Sequence, residues 1–242
     1  MGLEVQIAVS KVSKYAARES GDTVEMIERP RGGLSLVLAD GQRSGRSAKA
    51  ISNLAVRKTI SMLGEGVRDG AAARAAHDYL RTLRGGQVSA TLNIVSIDLD
   101  TRTIVLSRNS PCPVVVITEE GMQILDEPTE PIGIYPRTKP VITELPLAAP
   151  TTVIVFTDGV LHAGQPSGGE ADARQIVEKA LATGAHDAHS LADTILAQAV
   201  ARDKGRPRDD ISVLVLTVTR RADGDEVRRM TVTFPITPAM LV

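Results

Sequence analysis

The 242-residue chain contains one cysteine, no tryptophan, three tyrosines and two phenylalanines. With Cys112 alone, neither an internal disulfide nor a cysteine-rich zinc module can form, which suits a reducing compartment. Scarce aromatics leave few platforms for stacking the bases of single-stranded nucleic acid, and a formal net charge of −1 offers no overall basic excess for a phosphate backbone. Nucleic-acid binding is therefore disfavoured. No run of about 18 apolar residues occurs, and the start Met1-Gly2-Leu3-Glu4-Val5 lacks the basic and apolar regions of a secretory signal. The expectation is a cytoplasmic protein with no membrane partner. A Cys-x5-Arg phosphatase signature is absent, and so is the Gly-x4-Gly-Lys-Ser/Thr phosphate loop.

What is present is the composition of an ordinary folded protein, with 43% hydrophobic and 24% charged residues. The length predicts one domain over residues 1–242, its core built from Val, Ile, Leu and Ala. Leu3, Val5, Ile7 and Val9 alternate as a half-buried strand does, and a polar stretch from Lys11 to Gly21 follows. A second strand is expected from Thr23 to Glu28 and a buried one from Leu34 to Ala39, with a turn at Arg29-Pro30-Arg31-Gly32-Gly33 between them. Ala48, Ile51, Ala55, Thr59 and Met62 have helical spacing, as do Ala72, Ala76, Tyr79, Leu80 and Leu83.

Strands are then expected at Val88–Leu99, Thr103–Arg108 and Val114–Thr118, in the manner of an antiparallel meander. A proline-rich connection precedes strands at Val141–Leu147 and Thr152–Thr157. Helices over Ala171–Leu181 and Ala188–Ala201, a strand at Ile211–Thr219 and a last one near Val227–Phe234 complete the chain, the last being an extension at about 226–235. Strands and helices come in segregated runs, so the fold class is α+β, two sheets with helix pairs outside, rather than a doubly wound parallel sheet.

The chemistry lies in aspartates at predicted strand ends. Asp40-Gly41 and Asp158-Gly159 each follow a buried strand, and Asp209-Asp210 immediately precedes Ile211-Ser212-Val213-Leu214-Val215. A sheet holds such side chains firmly, and the glycine after the aspartate frees the backbone for a close path. Hard divalent cations prefer oxygen ligands, and carboxylates brought together repel unless a cation neutralises them. Asp-Gly also simply makes turns; three such sites after or before buried strands favour the metal reading. Asp22 joins them, because a hairpin between the second and third strands would carry it toward Asp40.

These motifs resemble the PPM (protein phosphatase 2C-like) family, in its compact bacterial SpoIIE-type branch and among its stand-alone members. The resemblance rests on Gly21-Asp22, on Ala39-Asp40-Gly41 with Ser44-Gly45, Ala48 and Ser52, on Phe156-Thr157-Asp158-Gly159-Val160, and on Asp209-Asp210-Ile211-Ser212. It implies a four-layer α-β-β-α sandwich of two antiparallel sheets flanked by helix pairs, and two Mn²⁺ or Mg²⁺ ions at one edge. By the same resemblance Asp40 bridges both ions, Gly41 gives its carbonyl to one, Asp158 and Asp209 hold the other, and Asp22 binds directly or through water. Asp209 rather than Asp210 matches the family's ligand, with Asp210 supporting. Such a centre hydrolyses phosphoserine or phosphothreonine in proteins with a metal-activated water, the ions being about 3.5–4 Å apart. The partner implied is a phosphorylated regulatory protein of STAS type.

Two places depart from the commoner pattern. Gln42-Arg43-Ser44-Gly45-Arg46 replaces a Gly-His-Gly loop, and His162 stands where a carboxylate is frequent. His162 reads as a solvated loop residue or a proton donor. Arg43 and Arg46 read as exposed cations or phosphate contacts. His186 and His189 have the spacing of a helical metal pair, but Asp187 between them reads as a helix cap. Lys204 to Arg208 is a short basic loop beside Asp209. The alternatives to a phosphatase are an inactive binding module of the same fold and a metal-dependent hydrolase of small phosphoesters.

Overall fold

A computed structural model describes residues 2–165, 171–221, 227–233 and 235. The strands are β1 (Gly2–Val12), β2 (Asp22–Glu28), β3 (Leu34–Gly41), β4 (Ala90–Asp98), β5 (Thr103–Asn109), β6 (Val114–Thr118), β7 (Gly121–Leu125), β8 (Val141–Pro146), β9 (Thr151–Phe156) and β10 (Ile211–Arg221). The helices are α1 (Gly45–Gly64), α2 (Asp69–Arg84), α3 (Asp158–His162), α4 (Ala173–Leu181) and α5 (Ala188–Arg202). One sheet has the order β1-β10-β9-β6-β7 and the other β2-β3-β4-β5-β8, and every pairing is antiparallel.

Period-two alternation sorts each strand's side chains between two cores. On β3, Leu36 and Leu38 point between the sheets, where they meet Val95, Ile97, Ile104 and Leu106 of their own sheet and Val114, Val116, Val153, Val155, Leu214 and Leu216 of the other. Val37 and Ala39 point the opposite way, onto Ile51, Ala55, Val56 and Leu63 of α1 and Ala72, Ala76 and Leu80 of α2. The second helix layer, α4 and α5, packs on Phe156, Val213 and Val215. The result is the predicted α-β-β-α sandwich, and aliphatic residues fill it; Phe156 is the only aromatic among the largest fully buried side chains.

Local signals explain the helix ends. Asp187 caps α5, accepting from the Ser190 backbone N–H at 2.9 Å, and α2 stops where Gly85 turns left-handed at φ 59°.

Several elements differ from expectation. The proposed meander holds for β4 and β5, but the chain then crosses to the other sheet, where β6 pairs with β7 and β9. Strand β7 was not foreseen because this short edge strand buries no residue fully and alternates weakly. Helix α3 is one turn long, below the window in which helical periodicity can be read. Residues 227–233, within the predicted last strand, carry no regular secondary structure, and Phe234 lies outside the described residues. Among the described residues no helix is long and apolar enough to cross a membrane.

Candidate metal centre

Pairing register brings the first two carboxylates together. Asp22 opens β2 and faces Asp40 near the end of β3. The other sheet supplies the rest from the same edge: β9 and β10 are neighbours with Phe156 opposite Val213, so Asp158, just after β9, and Asp209, just before β10, lie at adjoining strand ends. Asp40 feels Asp22, Asp158 and Asp209 electrostatically.

The bonds around Asp22 join the two sheets. Its Oδ2 accepts from the Ser212 hydroxyl at 2.6 Å and the Thr157 hydroxyl at 3.1 Å, and Thr157 Oγ in turn accepts from the Ser212 backbone N–H. The Asp22 carbonyl accepts from Lys11 Nζ at 2.9 Å and Lys49 Nζ at 2.7 Å. Its Oδ1 is buried and has no hydrogen-bond donor; the neighbouring Asp40 carboxyl could serve as one only by carrying a proton.

Burial and mutual repulsion set the charge state of the cluster. Desolvation first, then the Asp22, Asp158 and Asp209 carboxylates, push Asp40 up to about 10. Desolvation also raises Asp22, to about 6, against the pull of Ser212 and Lys11. Asp209 is raised by burial and held back by the Asp210 backbone N–H and Lys14. Lys11 and Lys14 offset only part of this, so Asp22 and Asp209 stay raised.

Asp210 has another task. It is buried, and its two oxygens accept from the backbone N–H groups of Lys14 (3.0 Å) and Gly21 (2.9 Å), tying the β1–β2 connection to the start of β10. Asp209 Oδ1 accepts from the Asp210 backbone N–H at 2.9 Å.

Both Asp-Gly steps are close backbone approaches. A Cβ on Gly41 would lie 2.0 Å from the Ala48 carbonyl oxygen, and one on Gly159 would lie 2.2 Å from that of Asp210. Only glycine fits at either place, so the strand carrying Asp40 can lie against α1 and the turn carrying Asp158 against Asp210.

The donor set suits a hard cation: several oxygens, one buried carboxylate oxygen without a donor, and raised pKa values that a cation would lower. Among the described residues no group of three or more His, Cys, Asp or Glu side chains is placed to hold a metal ion.

The remaining candidates scatter. His162 Nδ1 is 3.7 Å from Asp158 Oδ2, at the end of α3, so this histidine borders the cluster. Arg43 and Arg46 are exposed in and after the loop leading to α1, Arg43 with φ 78°. His186 and His189 stand at the far end of α5 from Asp209, where His189 faces Asp193 at 3.4 Å. The 204–208 loop is tied to the β1–β2 connection: Tyr15 N–H donates to the Pro207 carbonyl at 2.7 Å, and Arg206 lies 5.2 Å over the Tyr15 ring. Lys11, Lys49, Thr157 and Ser212 were not singled out as site residues. The alternation of β1 puts Lys11 on the face of Leu3, Val5 and Ile7, a signal available in the sequence; the reach of Lys49 from α1 was not.

A family model described as Stage II sporulation protein E (SpoIIE) matches residues 30–219. The chain belongs to the SpoIIE family. The match includes Asp40, Asp158 and Asp209 of this SpoIIE-family chain and begins after Asp22. No curated protein matches the sequence significantly.

Among solved structures, the chain is similar to the phosphatase domain with a regulatory fragment of SpoIIE from Bacillus subtilis, at 18% identity and a TM-score of 0.77, covering 91% of this chain and 65% of that one. It is similar to the catalytic domain of the serine/threonine protein phosphatase PstP in complex with two manganese ions, at 14% identity and a TM-score of 0.69, covering 90% and 100%. The RsbU and RsbW domains of a Mycobacterium tuberculosis protein match at 18% identity and a TM-score of 0.71, covering 90% of this chain and 61% of that one. The chain thus spans under two thirds of the length of the first and third. At these identities the likeness is one of fold, and the fold is that of the PPM phosphatases. None of the three singles out a stand-alone subgroup.

Proposed function

We propose that this chain is a metal-dependent serine/threonine phosphoprotein phosphatase whose two Mn²⁺ or Mg²⁺ ions are held by Asp40, the Gly41 carbonyl, Asp158 and Asp209, with Asp22 beside them. The observation that carries this reading is the meeting of strand ends from both sheets: Asp22 lies opposite Asp40 across β2 and β3, and Asp158 and Asp209 flank neighbouring ends of β9 and β10, close enough to act electrostatically on Asp40. Buried carboxylates of like charge at one edge are the kind of arrangement found at functional sites.

Bound there, divalent ions would activate a water for in-line attack on phosphorus and neutralise charge on the phosphoryl oxygens. The chain's own residues do the positioning. Ser212 and Thr157 hold Asp22 Oδ2 and leave Oδ1 without a donor. Asp210 fixes the loop before Asp22, leaving Asp209 as the acid of the pair whose oxygens are not both committed to backbone N–H groups. A thiol nucleophile is excluded, because Cys112 lies buried in the core against α4 and α5.

Exposed Arg206 over the Tyr15 ring, with exposed Lys204 in the same loop shortly before Asp209, puts positive charge beside the edge, which suits an acidic phosphoprotein better than a small phosphoester. A phosphorylated STAS-type regulator in the cytoplasm is the partner the resemblance names. The test is phosphate release from a phosphoserine protein with Mn²⁺. Release that stops with EDTA and in Asp40→Asn supports the assignment; none with any divalent metal, or release indifferent to Asp40→Asn, rejects it.

A further inference from the structure

The sandwich is open along the edge where β1 lies over β2. On β1, Val5 and Ile7 pack toward the inter-sheet core with Val24 of β2, yet Leu3 and Val9 on that face are 43% and 39% exposed, and Met26 of β2 is 38% exposed. β2 is also a sheet edge among the described residues, with β3 its one strand neighbour there. Uncovered strand edges bearing apolar side chains invite another strand.

The outward backbone groups of β2 can be assigned. The Arg29 N–H donates to the Gly33 carbonyl, toward β3, whereas the Asp22 carbonyl turns away from β3 to Lys11 and Lys49. Successive residues of a strand alternate in the side to which they present N–H and C=O. Val24, Met26 and Glu28 therefore present both groups to the open side.

One segment of the chain already reaches this edge. β10 ends at Arg221, at the same end of the sandwich as Glu28, and Arg228 Nη1 is 3.3 Å from Glu28 Oε1. Residues 227–233 are exposed, Met230 at 73% and Val232 at 89%, and they lie beyond the span matched by the family. Running antiparallel to β2 from the Arg228–Glu28 pair, the segment sets Met230 opposite Met26 and Val232 opposite Val24. Those are the residues whose backbone groups are open, and opposed residues share a face. Met230 and Val232 would thus fall on the uncovered core edge, while Arg229, Thr231 and Thr233 fall on the face of Thr23, Glu25 and Ile27, toward α1. Charge, backbone parity and side-chain polarity agree on one register.

We infer that residues 227–233 dock on β2 as a sixth, antiparallel strand of that sheet, with Arg228 opposite Glu28, Met230 opposite Met26 and Val232 opposite Val24. Docking closes the inter-sheet core and ends the strand beside Thr23, next to the carboxylate edge. It does not depend on the phosphatase reading.

The experiment is disulfide trapping in the full-length chain with Cys112→Ala, comparing the pair Met26→Cys and Met230→Cys with the pair Met26→Cys and Thr231→Cys. The expected result is a rapid intramolecular disulfide in the first and not in the second. No disulfide in the first, equal rates in both, or a covalent dimer would overturn the inference. Hydrogen exchange gives a second reading without cysteines: Met230→Pro, which removes a donor, should speed exchange at Val24, Met26 and Glu28 at least about tenfold while Thr23, Glu25 and Ile27 keep their rates. Unchanged exchange at the first three would equally overturn it.

Discussion

Ser212 and Asp22 are 190 residues apart in sequence, yet the Ser212 hydroxyl donates to Asp22 Oδ2 at 2.6 Å and so fastens the start of β10 in one sheet to the start of β2 in the other. Both residues are fully buried. The bond is local chemistry and global architecture at once, since two sheets must stack in one register for it to form.

Removing that hydroxyl should loosen the cluster more than the fold. Ser212→Ala leaves Thr157 as the one side-chain donor to Asp22 Oδ2, a loss of about 1–3 kcal/mol of stability. Support groups behind metal ligands typically matter about 10–100-fold in affinity. Mn²⁺ titration by calorimetry should therefore show weakening of that order, greater again in Ser212→Ala with Thr157→Val. Unaltered Mn²⁺ affinity in the double variant would separate Asp22 from the metal site.

Without metal, the cluster should make stability fall as pH rises. Asp22, Asp40 and Asp209 have folded pKa values raised above the usual 3.8, so between that value and the raised ones the folded chain binds more protons than the unfolded chain, and the slope of unfolding free energy with pH is negative. The contribution is complete below about 4 and is lost as pH climbs through about 6 for Asp22 and toward about 10 for Asp40. Thermal melts in EDTA should give a lower Tm at pH 8 than at pH 5.5. Asp40→Asn should flatten the difference, and Mn²⁺ should raise Tm more at pH 8, where fewer protons compete. A pH-independent Tm in EDTA would contradict the repulsion inferred here.

The sandwich was legible because β3 is a nearly continuous apolar run, β9 and β10 are strongly apolar, β1 alternates with period two, and α1 and α2 place Ala, Ile and Leu at helical spacing. Asp22, Asp40, Asp158 and Asp209 stood out for their strand-end positions, and hairpin logic alone paired the first two. The crossing of β6 into the second sheet was not legible, since Val114–Thr118 looks the same beside either neighbour. Nor were the second partners of the site: Lys49 is an ordinary helical lysine until α1 lies on β2, and the Ser212 and Thr157 hydroxyls acquire a role only when the sheets meet. The Gly41 contact with α1 is likewise tertiary.

The lip beside the cluster should decide which phosphorylated substrates are used. Tyr15 and Arg206 stack at 5.2 Å, and the Tyr15 N–H bond to the Pro207 carbonyl fixes the two loops against each other, so the Arg206 charge is held at the rim instead of ranging freely. Stacked guanidinium groups lose less freedom when they bind a carboxylate or phosphate. Arg206→Ala should raise KM for a phosphoserine peptide with acidic neighbours about 2–5-fold, a value in keeping with a partly solvated ion pair, and leave kcat nearly unchanged because no group at the carboxylate cluster is touched. A peptide with neutral neighbours should show little change, and added salt should erase the difference between the two peptides. Steady-state kinetics at two ionic strengths measure all of this; a fall in kcat with KM unmoved would place Arg206 in the chemistry and not in docking.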